Sequence, residues 1–236
     1  VEDRMNVAHD TGQLGVQAII VIEDSIRYYS SFLPVIYTEV MNQSHHLLPE
    51  GMNLSHKLMR IEARPKILLC NTYEEAWAHF STYQKNILGV IADIEFPQNG
   101  RLAPDAGVRF AQAVHEAQPD VPVMLQSSDP ANEILARSVG ASFLVKESPV
   151  LLQQLRRFMV DNFGFGDFVF RRPDGTEVGR ATDLRSLEAL LRVAPPESVA
   201  YHAQRNHFSK WLKARTEFAL AHSLRPRRVE YYPSIE

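Results

Sequence analysis

Five short apolar runs punctuate the first two thirds of the chain, at residues 17–22, 66–70, 87–92, 122–126 and 142–145. They are nearly all apolar rather than alternating, the pattern of strands covered on both faces. Segments with helical spacing follow them, at 25–41, 73–84, 104–117, 129–139 and 148–162. Strands alternating with helices predict an α/β fold, a doubly wound five-stranded parallel sheet. Helix starts are legible at Ser25, at Asp129-Pro130 and at Ser148-Pro149, where proline is tolerated in the first turn.

One stretch exceeds this plan. Helix–strand links usually run about 2–6 residues. Residues 42–65 are much longer and read as an insertion. Leu54, Leu58, Met59 and Ile61-Glu62 predict a short extra helix within it. His45, His46 and His56 invite a metal reading, but no cysteine or matched carboxylate accompanies them, and they are read as solvated loop histidines.

Past residue 162 the pattern changes. FVFRR and TEVGRA flank Pro173-Asp174-Gly175, a turn sequence, and predict a hairpin. Thr182-Asp183 opens a helix, Pro195-Pro196 breaks it, and two or three short helices follow. Phe208, Trp211, Leu212, Phe218 and Leu220 are their expected core. The chain thus divides into an extension (1–15), an α/β domain (16–162) and a small hairpin-plus-helices domain (163–236).

Charge supports that boundary. The 236 residues carry a net charge of −3. Residues 1–162 hold 13 Lys+Arg against 19 Asp+Glu, and residues 163–236 hold 12 against 9. The basic residues Arg225, Arg227 and Arg228 lie past the helices, so a concentrated nucleic-acid footprint is not expected. His202, Arg205, Asn206, His207, Lys210 and Arg215 crowd one region, read as a solvated face around an aromatic core rather than an anion or partner site. The single cysteine, Cys70, lies in the run KILLC and reads as a buried strand thiol, in keeping with a reducing cytoplasm. No stretch approaches the ~20 apolar residues of a membrane span, and the polar opening VEDRMNVAHD is not a signal peptide.

The ends of the apolar runs carry the chemistry. The first delivers Glu23-Asp24, the third Asp93, the fourth Ser127-Ser128, and the fifth Lys146. In a parallel sheet those ends share the rim where ligands bind. A lone Asp there is usually a cap, and a lone Lys is usually solvated. Together, in order, they form a phosphoacceptor constellation. Asp93 is placed to attack a phosphoryl group. Glu23, Asp24 and Asp93 could hold Mg²⁺. Lys146 and Ser127 supply a cation and a hydroxyl to the transferred oxygens.

Residues 16 to about 160 resemble a response-regulator receiver domain, on the motifs VIED, DIEFP, PVMLQSS and SFLVKESP. The resemblance implies a flavodoxin-like receiver fold, Asp93 as phosphoacceptor, Mg²⁺ on Glu23, Asp24 and Asp93, Ser127 as switch hydroxyl, Lys146 as phosphate-binding lysine and Phe143 as the toggling aromatic. It also implies a histidine kinase or small phosphodonor as partner, with homodimerisation possible. The family's usual Ala after the hydroxyl and Pro after the lysine are here Ser128 and Glu147.

The whole chain also resembles the amino-terminal regulatory part of bacterial proteins related to phosphoenolpyruvate synthase and pyruvate phosphate dikinase, on EDSIRYYSSFLPVIYTEVM, ILLCNTYEEAW, FGFGDFVF and YHAQRNHFSKWLKARTEFALAHSLRP. That implies regulation of a downstream ATP-grasp, pyruvate-binding module. Three alternatives stand beside it: a pseudo-receiver scaffold, a DNA-binding response regulator, and a phosphatase or dehalogenase with an aspartate nucleophile. The last commonly needs a second Asp two residues past the nucleophile, where this chain has Glu95.

Overall fold

A computed structural model of the protein describes residues 2–47 and 63–224. Its centre is a five-stranded, all-parallel sheet. The strands are β1 (Ala18–Ile22), β2 (Lys66–Cys70), β3 (Ile87–Asp93), β6 (Val123–Ser127) and β7 (Ser142–Val145), in the order β2-β1-β3-β6-β7. This is the flavodoxin-like order, with its switch point between β1 and β3.

Side chains alternate between two cores. Ile19, Val21, Ile91 and Met124 face α2 (Ile26–His46) and α6 (Leu151–Asn162), meeting Phe32, Ile36, Leu155 and Met159. Ile20, Ile22, Val90 and Leu125 face α3 (Tyr73–Thr82), α4 (Ala106–Ala117) and the short α5 (Glu133–Ser138), meeting Phe80, Phe110 and Ala136. Coverage on both faces explains runs without alternation. Cys70 is buried, and burial pushes its thiol up to about 12, so it behaves as an apolar strand residue.

Three features depart from the expectations. First, residues 2–14 form a helix, α1 (Glu2–Leu14), packed on β2. Its buried stripe is Asp3, Val7 and Thr11, one residue per turn and largely polar. Asp3 Oδ1 accepts from Arg64 Nη2 at 2.7 Å, and Oδ2 accepts from the Ile67 amide at 2.9 Å and the Tyr37 hydroxyl at 3.1 Å. Burial pushes this carboxyl up, but those donors together hold it below its usual value. A depressed carboxylate contributes stability that is lost as pH falls through its folded pKa. Asp3→Asn is therefore expected to cost about 1–3 kcal/mol at neutral pH and to flatten the acid limb of the stability–pH curve, read by urea melts.

Second, a hairpin follows β3: β4 (Phe96–Gln98) pairs antiparallel with β5 (Arg101–Ala103). Its turn is Asn99-Gly100, with φ of 51° and 72°, the left-handed pair that a two-residue hairpin turn demands. Third, α6 begins at Leu151, and Ser148 caps the turn before it by accepting from the Val150 amide.

The insertion is partly helix. α2 runs on to His46, with His45 and His46 exposed in its last turn. His56 and the expected helix around Leu54 to Glu62 lie outside the described residues.

The C-terminal hairpin forms as expected, β8 (Phe168–Arg171) against β9 (Glu177–Ala181). Among the described residues, four short helices follow: α7 (Leu184–Leu191), α8 (Pro196–Gln204), α9 (His207–Ala214) and α10 (Phe218–Leu224). Asp183 caps α7 in a reciprocal box with Ser186. The core here is Phe168, Phe170, Ala181, Leu187, Trp211, Leu212 and Ala221, with Phe208 at its edge. Leu220 is exposed and Phe218 only half-buried. Ala221 takes the inward position instead, because α10 turns its small residue toward the core. The expectation of a solvated polar face fails for two residues: His202 and Arg215 are buried. Arg215 Nη2 donates to the carbonyls of Gly166 and Thr182, and its guanidinium lies 3.5 Å from the Trp211 ring centroid.

These elements pack back on the sheet. Phe163 fills the space above Gly89 in β3, and Gln43 of α2 donates to the Ala214 carbonyl and accepts from the Gly166 amide. Among the described residues, no helix is long and apolar enough to cross a membrane.

Candidate functional site

The carboxyl ends of β1, β3, β6 and β7 converge as the sequence anticipates. Glu23 and Asp24 follow β1, Asp93 ends β3, Ser127 ends β6, and Lys146 follows β7. The register fixes this: Ile22 lies beside Ala92, and Asp93 beside Gln126.

Lys146 is the hub. Its Nζ lies 2.7 Å from Glu23 Oε2 and 2.5 Å from Asp93 Oδ2. The Lys146 and Glu23 side chains are 3% and 0% exposed, so this cluster is shielded from water. The Lys146 amide donates to the Ser127 carbonyl, which carries β7's alignment into the site. Asp93 Oδ1 accepts from the Ile94 amide at 2.7 Å and from the Glu95 amide at 3.4 Å. Glu23 Oε1 accepts from the Ser25 amide, and its Oε2 lies 3.5 Å from Gln126 Nε2.

Burial pushes the carboxyls of both Glu23 and Asp93 up, and Lys146 opposes this in both cases. The Asp93 charge raises Glu23 further. One ligand oxygen from each of Glu23, Asp24 and Asp93 fits within 4.8 Å of the others, with Asp24 exposed. A carboxylate trio with one open side fits a hard divalent cation that keeps several waters. Of the described residues, only these three form such a group.

Ser127 Oγ accepts from the Asn132 amide group at 2.9 Å and from the Asp129 backbone amide at 3.2 Å. In both contacts the hydroxyl acts as an acceptor. Phe143 lies in β7 beside Leu125, half-buried against the α4 side of the core.

The sequence reading missed Tyr28. It lies one turn into α2, and its ring centroid sits 4.2 Å from Lys146 Nζ. Its hydroxyl donates to Glu147 Oε1 at 3.2 Å and lies 3.3 Å from Ser128 Oγ. The ring thus covers the lysine from the solvent side.

No protein-family model matches the chain, and no curated protein matches it. Solved structures do resemble it. A response regulator receiver domain protein from Clostridium thermocellum is 19% identical over 62% of this chain and 94% of that one, with a TM-score of 0.40. A putative response regulator from Chloroflexus aurantiacus is 14% identical over 62% and 96%, with a TM-score of 0.42. The Mn²⁺-bound form of the response regulator Rcp1 is 11% identical over 61% and 91%, with a TM-score of 0.36. Identities and superpositions at this level leave the site's own geometry to carry the functional reading.

Proposed function

We propose that this protein is a phosphoacceptor signalling module in which Asp93 accepts a phosphoryl group. The observation that carries this reading is the ammonium of Lys146 bridging Asp93 and Glu23 at the carboxyl edge of the sheet, with Asp24 beside them.

The chemistry follows from the groups present. An Asp93 carboxylate oxygen attacks phosphorus, the O–P bond forms, and the bond to the leaving group breaks with that group taking the electron pair. Asp93 gives up no proton, so its role requires only that it be ionised and reachable. Lys146 then meets the charge on the transferred oxygens, and the Ser127 proton can be donated to one of them. Glu23, Asp24 and Asp93 would hold Mg²⁺, which when bound supplies charge neutralisation for the same oxygens. The donor is a histidine kinase or a small acyl phosphate. The reading extends to regulation: Ser127 holds the turn into α5 through Asn132, so pulling its hydroxyl toward a phosphate loosens that turn and frees Phe143 to move. A phosphotransfer enzyme, attached or separate, is the proposed target.

The test is intact mass after incubation with Mg²⁺ and acetyl phosphate. A gain of one phosphoryl group, about 80 Da, is expected. The gain should be absent in Asp93→Asn and abolished by EDTA. An unchanged mass for the wild-type chain with both kinase and acetyl phosphate sinks the reading.

A further inference from the structure

A cleft lies among the C-terminal elements. The end of α6, the connection after it, the β8–β9 hairpin and helices α8 and α9 enclose a cleft of about 640 Å³, a volume typical of small-molecule sites. Phe163, which begins the connection, packs on Gly89 near the start of β3, whereas Asp93 ends that strand. The cleft is therefore remote from the acceptor carboxylate.

Its walls are cationic. Arg157, Arg171, Arg180, Arg205 and Lys210 line it, against two carboxylates, Asp161 and Asp167. Those carboxylates are engaged at 3.5 Å by Arg157 and by Arg180. Arg171 and Arg205 instead donate to the backbone carbonyls of Gly175 and Tyr201. Arg205 also stacks 4.1 Å over the Tyr201 ring, which fixes its plane. Guanidinium forks held this way match phosphate oxygens.

A partly buried histidine relay adds a neutral donor. The Arg171 amide donates to His202 Nε2 at 2.8 Å, so the His202 proton sits on Nδ1. That proton is donated to His207 Nδ1, 2.9 Å away, which places the His207 proton on Nε2. His207 lines the cleft. It thus offers an N–H rather than a lone pair. Burial holds His202 down to about 4 and His207 to about 3, with the neighbouring cations adding to the effect. Both rings stay neutral near pH 7, and the relay keeps its direction.

We infer that this cleft binds a small phosphate-bearing anion, with Arg171 and Arg205 as its principal ligands and His207 Nε2–H as a further donor. The site is independent of Asp93 and makes the protein responsive to a phosphorylated metabolite or to free phosphate.

Calorimetric titration of the full chain with inorganic phosphate, in EDTA at fixed ionic strength, tests this. One saturable site is expected. The Arg171→Gln/Arg205→Gln pair, both exposed and bonded only to carbonyls among the described residues, should weaken it at least roughly tenfold. Asp93→Asn should bind like the wild type. Adenosine monophosphate binding more tightly than phosphate identifies an organic ligand, and equal binding identifies phosphate itself. Absence of saturable heat, full binding by the double variant, or loss in Asp93→Asn overturns the proposal. So does a DNA duplex that binds more tightly than phosphate, with steep salt dependence and the same arginine requirement.

Discussion

Lys146→Ala is expected to cost about 3–5 kcal/mol near neutral pH and to prevent Asp93 from gaining a phosphoryl group. Lys146 is the ammonium that holds two shielded carboxylates, Glu23 and Asp93, whose side chains are 0% and 13% exposed. Without it those charges face each other with backbone amides as their main support. The pH dependence fixes the sign. Burial already raises both carboxyls, so the native state binds more protons than the unfolded chain. Stability then falls as pH rises from the ordinary carboxylate values through the raised native ones. Removing Lys146 removes the opposing influence and raises both further. The deficit of the variant should therefore be largest near pH 7 and shrink as pH falls toward 5. Urea melts at the two pH values measure it. Equal losses at both would show that packing of the lysine stem, rather than charge, is what the substitution removes.

A comparable loss is expected where the C-terminal elements meet the sheet. A Cβ on Gly89 would stand 2.2 Å from Phe163 Cε1 and 2.8 Å from Cζ. Phe163 is fully buried and ringed by Phe158 and Phe165, so it cannot step aside. Gly89→Ala should cost about 1–3 kcal/mol as overpacking, and Phe163→Ala about 3–5 kcal/mol as a cavity. The double variant should be more stable than the sum of the two losses implies, because the new methyl enters the space the ring vacates. Additive losses would mean the ring and the strand do not share that space.

The sheet was legible because parallel strands buried on both faces must be apolar throughout, and turns cannot be. Residues 87–93 show this: six apolar or small residues, then Asp93 at the rim. The positions of Glu23, Ser127 and Lys146 follow from the same rule. What the sequence hid is equally physical. Helix α1 buries Asp3 and Thr11 rather than a hydrophobic stripe, so its amphipathic pattern is weak. The strands β4 and β5 are three residues each, too short for alternation, and only Asn99-Gly100 betrays them. Tyr28 contacts Lys146 across a sequence distance no local pattern spans. In the tail, histidine and arginine looked like surface residues because their partners are backbone groups, such as the Arg171 amide and the Gly166 carbonyl.

Helix α1 has a colloidal consequence. β2 is an outermost strand of the sheet and carries the apolar sequence KILLC. An outermost strand offers unpaired amides to any other chain that can extend alongside it. Here Asp3 takes the Ile67 amide, Asp10 takes the Lys66 ammonium at 2.7 Å, and Val7 covers the core beside them. Residues 2–14 thus act as a plug against strand addition. A chain lacking them would keep every residue of the Asp93 site and yet be prone to stack edge to edge into insoluble assemblies.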